Sequence, residues 1–234
     1  MKNPSRTTLG LVTLVLAAVV VSGVLVVTDD GGDPGVSPLA GTSAAAAMLT
    51  AEDLGGAYTA GDDEAASYLN QASGCLAAVR PLTDASGAPV RVLRVFRGPV
   101  TEPASVVSTL VVSYGTEAEA TAALTTFRDA TSGCTEVRPK KGRSGFRGTV
   151  RAEDVAVTGA DGQVRLSATG SLVDADDQGS PLGLWISVTR VGNSLTVVRL
   201  VEVPNAAAGD AASSGAAKLD TFTAAALTRL SDAA

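Results

Sequence analysis

Histidine does not occur in the 234-residue chain. Its absence removes several chemistries together. No Ser-His-Asp or Cys-His relay can form, and no metal can be held by imidazole. Lysine is almost as scarce. A Ser–Lys nucleophile would have to draw on Lys2, Lys140, Lys141 or Lys218, and no S-x-x-K spacing accompanies them. Aromatic residues are few, with one Trp, three Tyr and four Phe, so a core must be built mainly from Val, Leu and Ala. The net charge of −6 makes nucleic acid an unsuitable partner for the surface as a whole.

Carboxylates remain, and glycoside chemistry needs only an acid and a base. The visible clusters are Glu153-Asp154 and Asp174-x-Asp176-Asp177. The second sits between two expected strands beside Gly179 and Pro181, where a solvated hairpin loop is the simpler reading. It lacks the spacing and the closing Glu of an EF-hand loop. The expectation is therefore no catalytic residue, no metal ligand and no cofactor.

What is present begins with Leu9–Val27, nineteen residues without a charge. A helix of that length spans about 28 Å, close to the roughly 30 Å hydrocarbon core of a bilayer. Lys2 and Arg6 precede it and Asp29, Asp30 and Asp33 follow, which orients the N-terminus to the cytoplasm and the rest outward. The expected organisation is a short cytoplasmic segment (1–8), a transmembrane signal anchor (9–27), a Gly- and Pro-containing flexible linker (28–47) and an extracytoplasmic domain (48–234). Cleavage near Val21-Ser22-Gly23, giving a secreted form, and burial of the run as a core helix are the competing readings. In an oxidising compartment the single pair Cys75 and Cys134 reads as a disulfide.

The domain reads as α+β: an antiparallel sheet of five to seven strands, with helices packed on its buried face. Thr50-Ala51-Glu52-Asp53 resembles the capped start of a short helix, and a second helical stretch is expected within Asp62–Val79. Strands are expected at Val90–Arg97 and Ser105–Tyr114. Thr116 and Glu119 then form a T-x-x-E capping box, with Ala120, Leu124, Phe127 and Thr131 along one helical face and Gly133 as the stop. Gln163–Val173 alternates apolar and polar residues cleanly. Asp161-Gly162 and Gly192-Asn193 are hairpin signals, the latter joining Leu182–Val191 to Leu195–Val203. A last helix covers about Ala211–Leu230.

Two sets of basic residues are the candidate ligand-binding groups. Arg138–Arg151 holds six basic residues and no acid, including Arg138, Lys140, Lys141, Arg143 and Arg147. Three glycines, Gly142, Gly145 and Gly148, make it read as an exposed loop. Such a cluster attracts anionic surfaces. Arg94 is expected on the same strand face as Val92 and Phe96, opposite Arg91 and Arg97, where it either lines an anion pocket or snorkels at a sheet edge.

The phrase Met48–Leu54, the block Val111–Cys134 and the antiparallel C-terminal half resemble, in order and spacing, the extracellular sensor domain of PknH-type actinobacterial serine/threonine kinases. That resemblance implies an antiparallel sheet with helices framing a cleft for an unidentified ligand. The kinase-linked domains carry two disulfides where this chain has one cysteine pair, and no kinase domain accompanies it. The resulting expectation is a non-enzymatic, membrane-anchored, extracytoplasmic sensor-like module that binds a small-molecule or envelope ligand. Its alternative is an envelope structural or interaction protein that contacts anionic lipid or wall polymer.

Overall fold

The computed structural model describes residues 37–61, 74–84, 88, 90–99, 104–139, 142–176, 178–203 and 211–234. The apolar run Leu9–Val27 lies outside them. Among the described residues no helix is long and apolar enough to cross a membrane.

Among the described residues eight strands form one sheet: β1 (Thr59–Ala60), β2 (Val90–Arg97), β3 (Ser105–Ser113), β4 (Glu136–Val137), β5 (Gly145–Asp154), β6 (Gly162–Val173), β7 (Gly179–Val191) and β8 (Ser194–Glu202). Their order is β1-β2-β3-β8-β7-β6-β5-β4, and every neighbouring pair is antiparallel. The helices are α1 (Gly41–Ala46), α2 (Arg80–Asp84), α3 (Glu117–Thr131) and α4 (Ala211–Ala233), with a 3₁₀ turn at Gly74–Val79 leading into α2. After β3 the chain crosses through α3 to the far edge. It then returns strand by strand from β4 until β8 closes the gap beside β3.

Two layers of helix cover the sheet. On one face Leu110, Val112, Leu184, Ile186, Val188, Leu195 and Val197 pack with Leu124 and Phe127 of α3 and with Leu76 and Val79 of the 3₁₀ turn. On the other, Val107, Trp185, Val198 and Leu200 pack with Leu219, Phe222 and Ala226 of α4, while Val90 and Val111 meet Ala44 of α1 and Leu230 of α4. The expectation of a single covered face is thus corrected. Strand β8 is buried at all nine positions, because successive side chains point alternately into two cores. Each fully buried Leu or Val there contributes about 1.5–3 kcal/mol by removal of apolar surface from water.

Local signals account for several boundaries. The Thr116 side chain accepts from the Glu119 backbone N–H, and the Glu119 carboxylate accepts from the Thr116 N–H at 2.9 Å, completing the expected capping box. Helix α3 ends at Thr131, and Gly133 at φ 72° turns the chain toward Cys134. Helix α4 approaches the sheet where Gly215 faces Trp185. A Cβ at that position would lie 2.5 Å from the indole ring.

Five sequence expectations give way. The linker predicted to reach Ala47 is packed structure from Ser37 onward. Leu39, Ala44 and Ala47 are buried, and the small residues Gly41 and Ala44 of α1 let it pack on β2 and β3. The helix expected after Leu49 is one turn, because Gly55 and Gly56 take positive φ (86° and 74°) and close it. Asp161-Gly162 is not a two-residue hairpin; β5 ends at Asp154 and a seven-residue connection leads to β6. The strand count rises to eight through β1 and β4, two residues each. The helix expected within Asp62–Val79 lies outside the described residues up to 73 and is a 3₁₀ turn thereafter.

Candidate functional site

Arg94 lies on the face that α1 and α4 cover. Its guanidinium donates to the Leu49 carbonyl at 2.9 Å and the Ala45 carbonyl at 3.4 Å, which ties β2 to the end of α1. Burial, followed by the positive charge of Arg229, pulls its pKa below the ordinary arginine value. Arg229 of α4 reaches the same corner. Its Nε and Nη2 donate to the Asp53 carboxylate at 2.6 and 3.0 Å, and Nη2 also donates to the Thr50 hydroxyl. Burial works to raise the Asp53 carboxyl, but hydrogen bonds from Arg229 and Thr50 outweigh it and hold the group below its usual range. The corner is a clamp between the Thr50–Asp53 turn and the C-terminal helix.

The basic stretch is not one loop. Arg138 follows β4, Arg143 is exposed in the connection, and Arg147 and Arg151 stand exposed on β5. Lys140 and Lys141 lie outside the described residues. Arg138 pairs with Glu136 at 2.7 Å, an exposed bridge that raises the arginine pKa through its hydrogen bond. Arg94 sits on β2, whereas Arg138, Arg143 and Arg147 lie on or beside β4 and β5 toward the opposite end of the sheet, so these described candidates do not converge on one pocket.

A cleft does form elsewhere, and sequence reasoning missed it. About 130 Å³ in volume, it is lined by Ala78, Pro81, Leu82, Tyr114, Ala123, Thr126 and Phe127, between α3 and the 3₁₀–α2 segment. The Cys75–Cys134 disulfide joins those two walls, with Cα atoms 6.1 Å apart. Tyr114 is pinned through its main chain, its N–H donating to the Asn193 carbonyl and its carbonyl accepting from Asn193 Nδ2 at 2.7 Å. Burial, and secondarily the Glu119 charge, pushes its phenol above the ordinary value. The lining is apolar apart from two hydroxyls, and Thr126 spends its own on the Ala122 carbonyl. Such a site suits the apolar end of a small molecule with one hydrogen-bonding group at Tyr114. The only sequence signal was an aromatic residue at the strand end, one residue before Gly115 and two before the Thr116 cap.

The carboxylate clusters are held locally. Asp174 accepts from the N–H groups of Asp176 and Gln178, a loop-closing arrangement, and Asp177 lies outside the described residues. Glu153 lies 3.4 Å from Arg151 and 3.7 Å from Arg165, while Asp154 pairs with Arg128 at 2.7 Å. Among the described residues, no three His, Cys, Asp or Glu side chains gather closely enough to hold a metal ion.

No protein-family profile matches the chain. No curated protein matches it either. A solved structure does: the extracellular domain of PknH from Mycobacterium tuberculosis, at 14% sequence identity and a TM-score of 0.53, covering 85% of this chain and 100% of that one. The chain has the fold of the PknH extracellular domain.

Proposed function

We propose that this domain is a non-enzymatic, sensor-like module that binds a small ligand on the extracytoplasmic side of a membrane. The observation that carries the reading is the likeness over 85% of the chain to an extracellular domain. Two features support it. The only cysteine pair is joined as a disulfide, which persists in oxidising compartments. The disulfide and the Tyr114–Asn193 bonds also preorganise an apolar cleft instead of leaving its walls independent. The Leu9–Val27 run supplies the membrane attachment in this reading.

Mass spectrometry of small molecules retained by the natively purified full-length chain tests the proposal. A retained apolar compound should disappear when Ala123→Trp fills the cleft, with the melting temperature unchanged. A compound held equally by the filled variant would remove the cleft from the account. Turnover of ester, peptide or glycoside substrates that is lost with Glu153→Gln or Asp174→Asn would replace the binding module with a carboxylate enzyme.

A further inference from the structure

The α4-side face of β4, β5 and β6 is open at Glu136, Arg138, Arg147, Thr149, Arg151 and Thr169 and half-buried at Glu153, Arg165, Ser167 and Ser171, while the same side of β3, β7 and β8 is largely buried under α1 and α4. The covering stops at Asp220 of α4, which forms an ion pair with Arg165 of β6. Register places Arg147, Thr149, Arg151 and Glu153 of β5 opposite Ser171, Thr169, Ser167 and Arg165 of β6, all on this side. Glu136 stands opposite Thr149, and Arg138 follows it two residues later with the same side-chain parity.

Charge on this strip differs from that of the molecule. Among the described residues on this side, Arg138, Arg147, Arg151 and Arg165 stand with Glu136, Glu153 and Asp220, a small positive excess in a chain of net charge −6. The carboxylates present are shared: Glu153 lies near both Arg151 and Arg165. The Arg138–Glu136 pair is exposed, with 72% and 50% of its side chains open to solvent, and such pairs yield readily to a competing anion. Beside the arginines runs a row of hydroxyls, with Thr149 and Thr169 3.2 Å apart across the strands. The large exposed hydrophobic residues among those described are Leu93 and Val203, and neither lies on this face. The face therefore has nothing to insert into a bilayer and much to offer a hydrated polyanion.

From this combination we infer that the open β4–β5–β6 face docks an acidic polysaccharide strand. Arg138, Arg147 and Arg151 pair with its carboxylates, and Thr149, Ser167, Thr169 and Ser171 bond its hydroxyls. Planar guanidinium groups match carboxylates in bidentate geometry, and the run of about 13 Å along β5 from Arg147 to Arg151 suits an extended chain.

The test uses the full-length chain in neutral-lipid nanodiscs, with polygalacturonate as the probe, dextran as the uncharged control and phosphatidylglycerol vesicles as the lipid alternative. Polygalacturonate should bind at low salt, weaken steeply with added salt and bind at least tenfold more weakly to the Arg147→Ser/Arg151→Ser variant. Thr149→Val/Thr169→Val should weaken it severalfold without changing the salt slope. Absence of polygalacturonate binding, equal binding of dextran, or an unchanged arginine variant would each overturn the inference. Vesicle binding without polymer binding would overturn it too and reassign the strip to a lipid surface. Retention of a small molecule in the cleft is measured on the same preparations, so failure of the polysaccharide strip leaves the reading of the cleft separately testable.

Discussion

The central and outer strands of one sheet carry opposite sequence textures. Strand β8, Ser194–Glu202, is buried throughout, because α3 lies over one side and α4 over the other. Strand β6 has the alternation of a half-covered strand, with Val164, Leu166 and Ala168 buried while Arg165, Ser167 and Thr169 remain at least partly accessible. The difference is coverage. A strand between two helical layers is under pressure at every residue, whereas one beyond the apolar cover of α4 is constrained mainly at every second residue. Stability therefore concentrates in β3, β7 and β8, and the freedom to carry recognition chemistry concentrates in β5 and β6.

The sharpest way to break that contrast is a deletion in the doubly covered strand. Leu200 is fully buried between Trp185 and the apolar stripe of α4. Leu200→Ala should cost about 2–5 kcal/mol, with the loss set by how far Trp185 and Phe222 collapse into the cavity. Urea unfolding followed by the fluorescence of Trp185 measures it directly. A cost below about 1 kcal/mol would mean that α4 does not hold this face in solution.

Coverage also explains what was legible beforehand. The period-two pattern of β6 and the capping box at Thr116–Glu119 are short-range signals, and both elements stand where expected. So do β2, β3, the hairpin at Gly192-Asn193 and the C-terminal helix. The second helical layer was hidden because Arg199 and Glu202 interrupt the apolar run of β8. Glu202 is nonetheless buried and paired with Lys218 at 2.8 Å. Helix α1 resembled a tether because Gly, Ser, Thr and Ala compose both linkers and tightly packed short helices. Strands β1 and β4 are too short to carry a period.

The site was harder to read because its parts are joined through space. The parity of Arg94 with Val92 and Phe96 was readable, but its carbonyl partners on the α1 side were not. The cleft depends on a 3₁₀ turn meeting α3 across a disulfide separation of 59 residues, which no local pattern encodes. Closing that loop is worth about 4 kcal/mol in the chain-entropy model, so the cleft wall is also a stability element.

A smaller effect is expected at the clamp beneath α1. Asp53 and Arg229 retain 18% and 32% side-chain exposure, so their bonds are only partly screened. Asp53→Asn should cost about 1–2 kcal/mol, since a charge-assisted pair becomes a neutral one. The wild-type carboxyl titrates below its ordinary value of 3.8. Its contribution is therefore complete above about that pH and fades as pH falls through the lower folded value. The gap between variant and wild type in unfolding curves should narrow as the pH is lowered from 7 through 3.8 toward the folded value. A gap that stayed constant would assign the loss to packing instead of charge.

The smallest effect belongs to the open face, and it sharpens the comparison most. Thr149 and Thr169 are exposed, and their hydroxyls meet only each other and the Thr169 carbonyl. Replacing both with Ala removes a solvent-screened contact and some β-propensity, while leaving no cavity. The expected cost is roughly 0.5 kcal/mol or less for each residue, within the range of ordinary surface substitutions. The Leu200→Ala loss should exceed the loss at either threonine severalfold in the same urea titration. The two threonines should also add independently of Leu200, since they share no partner with it. A loss above about 2 kcal/mol for the threonine pair would mean that the native chain buries this face under something. The division between a stabilising centre and a surface open for recognition would then fail at its outer end.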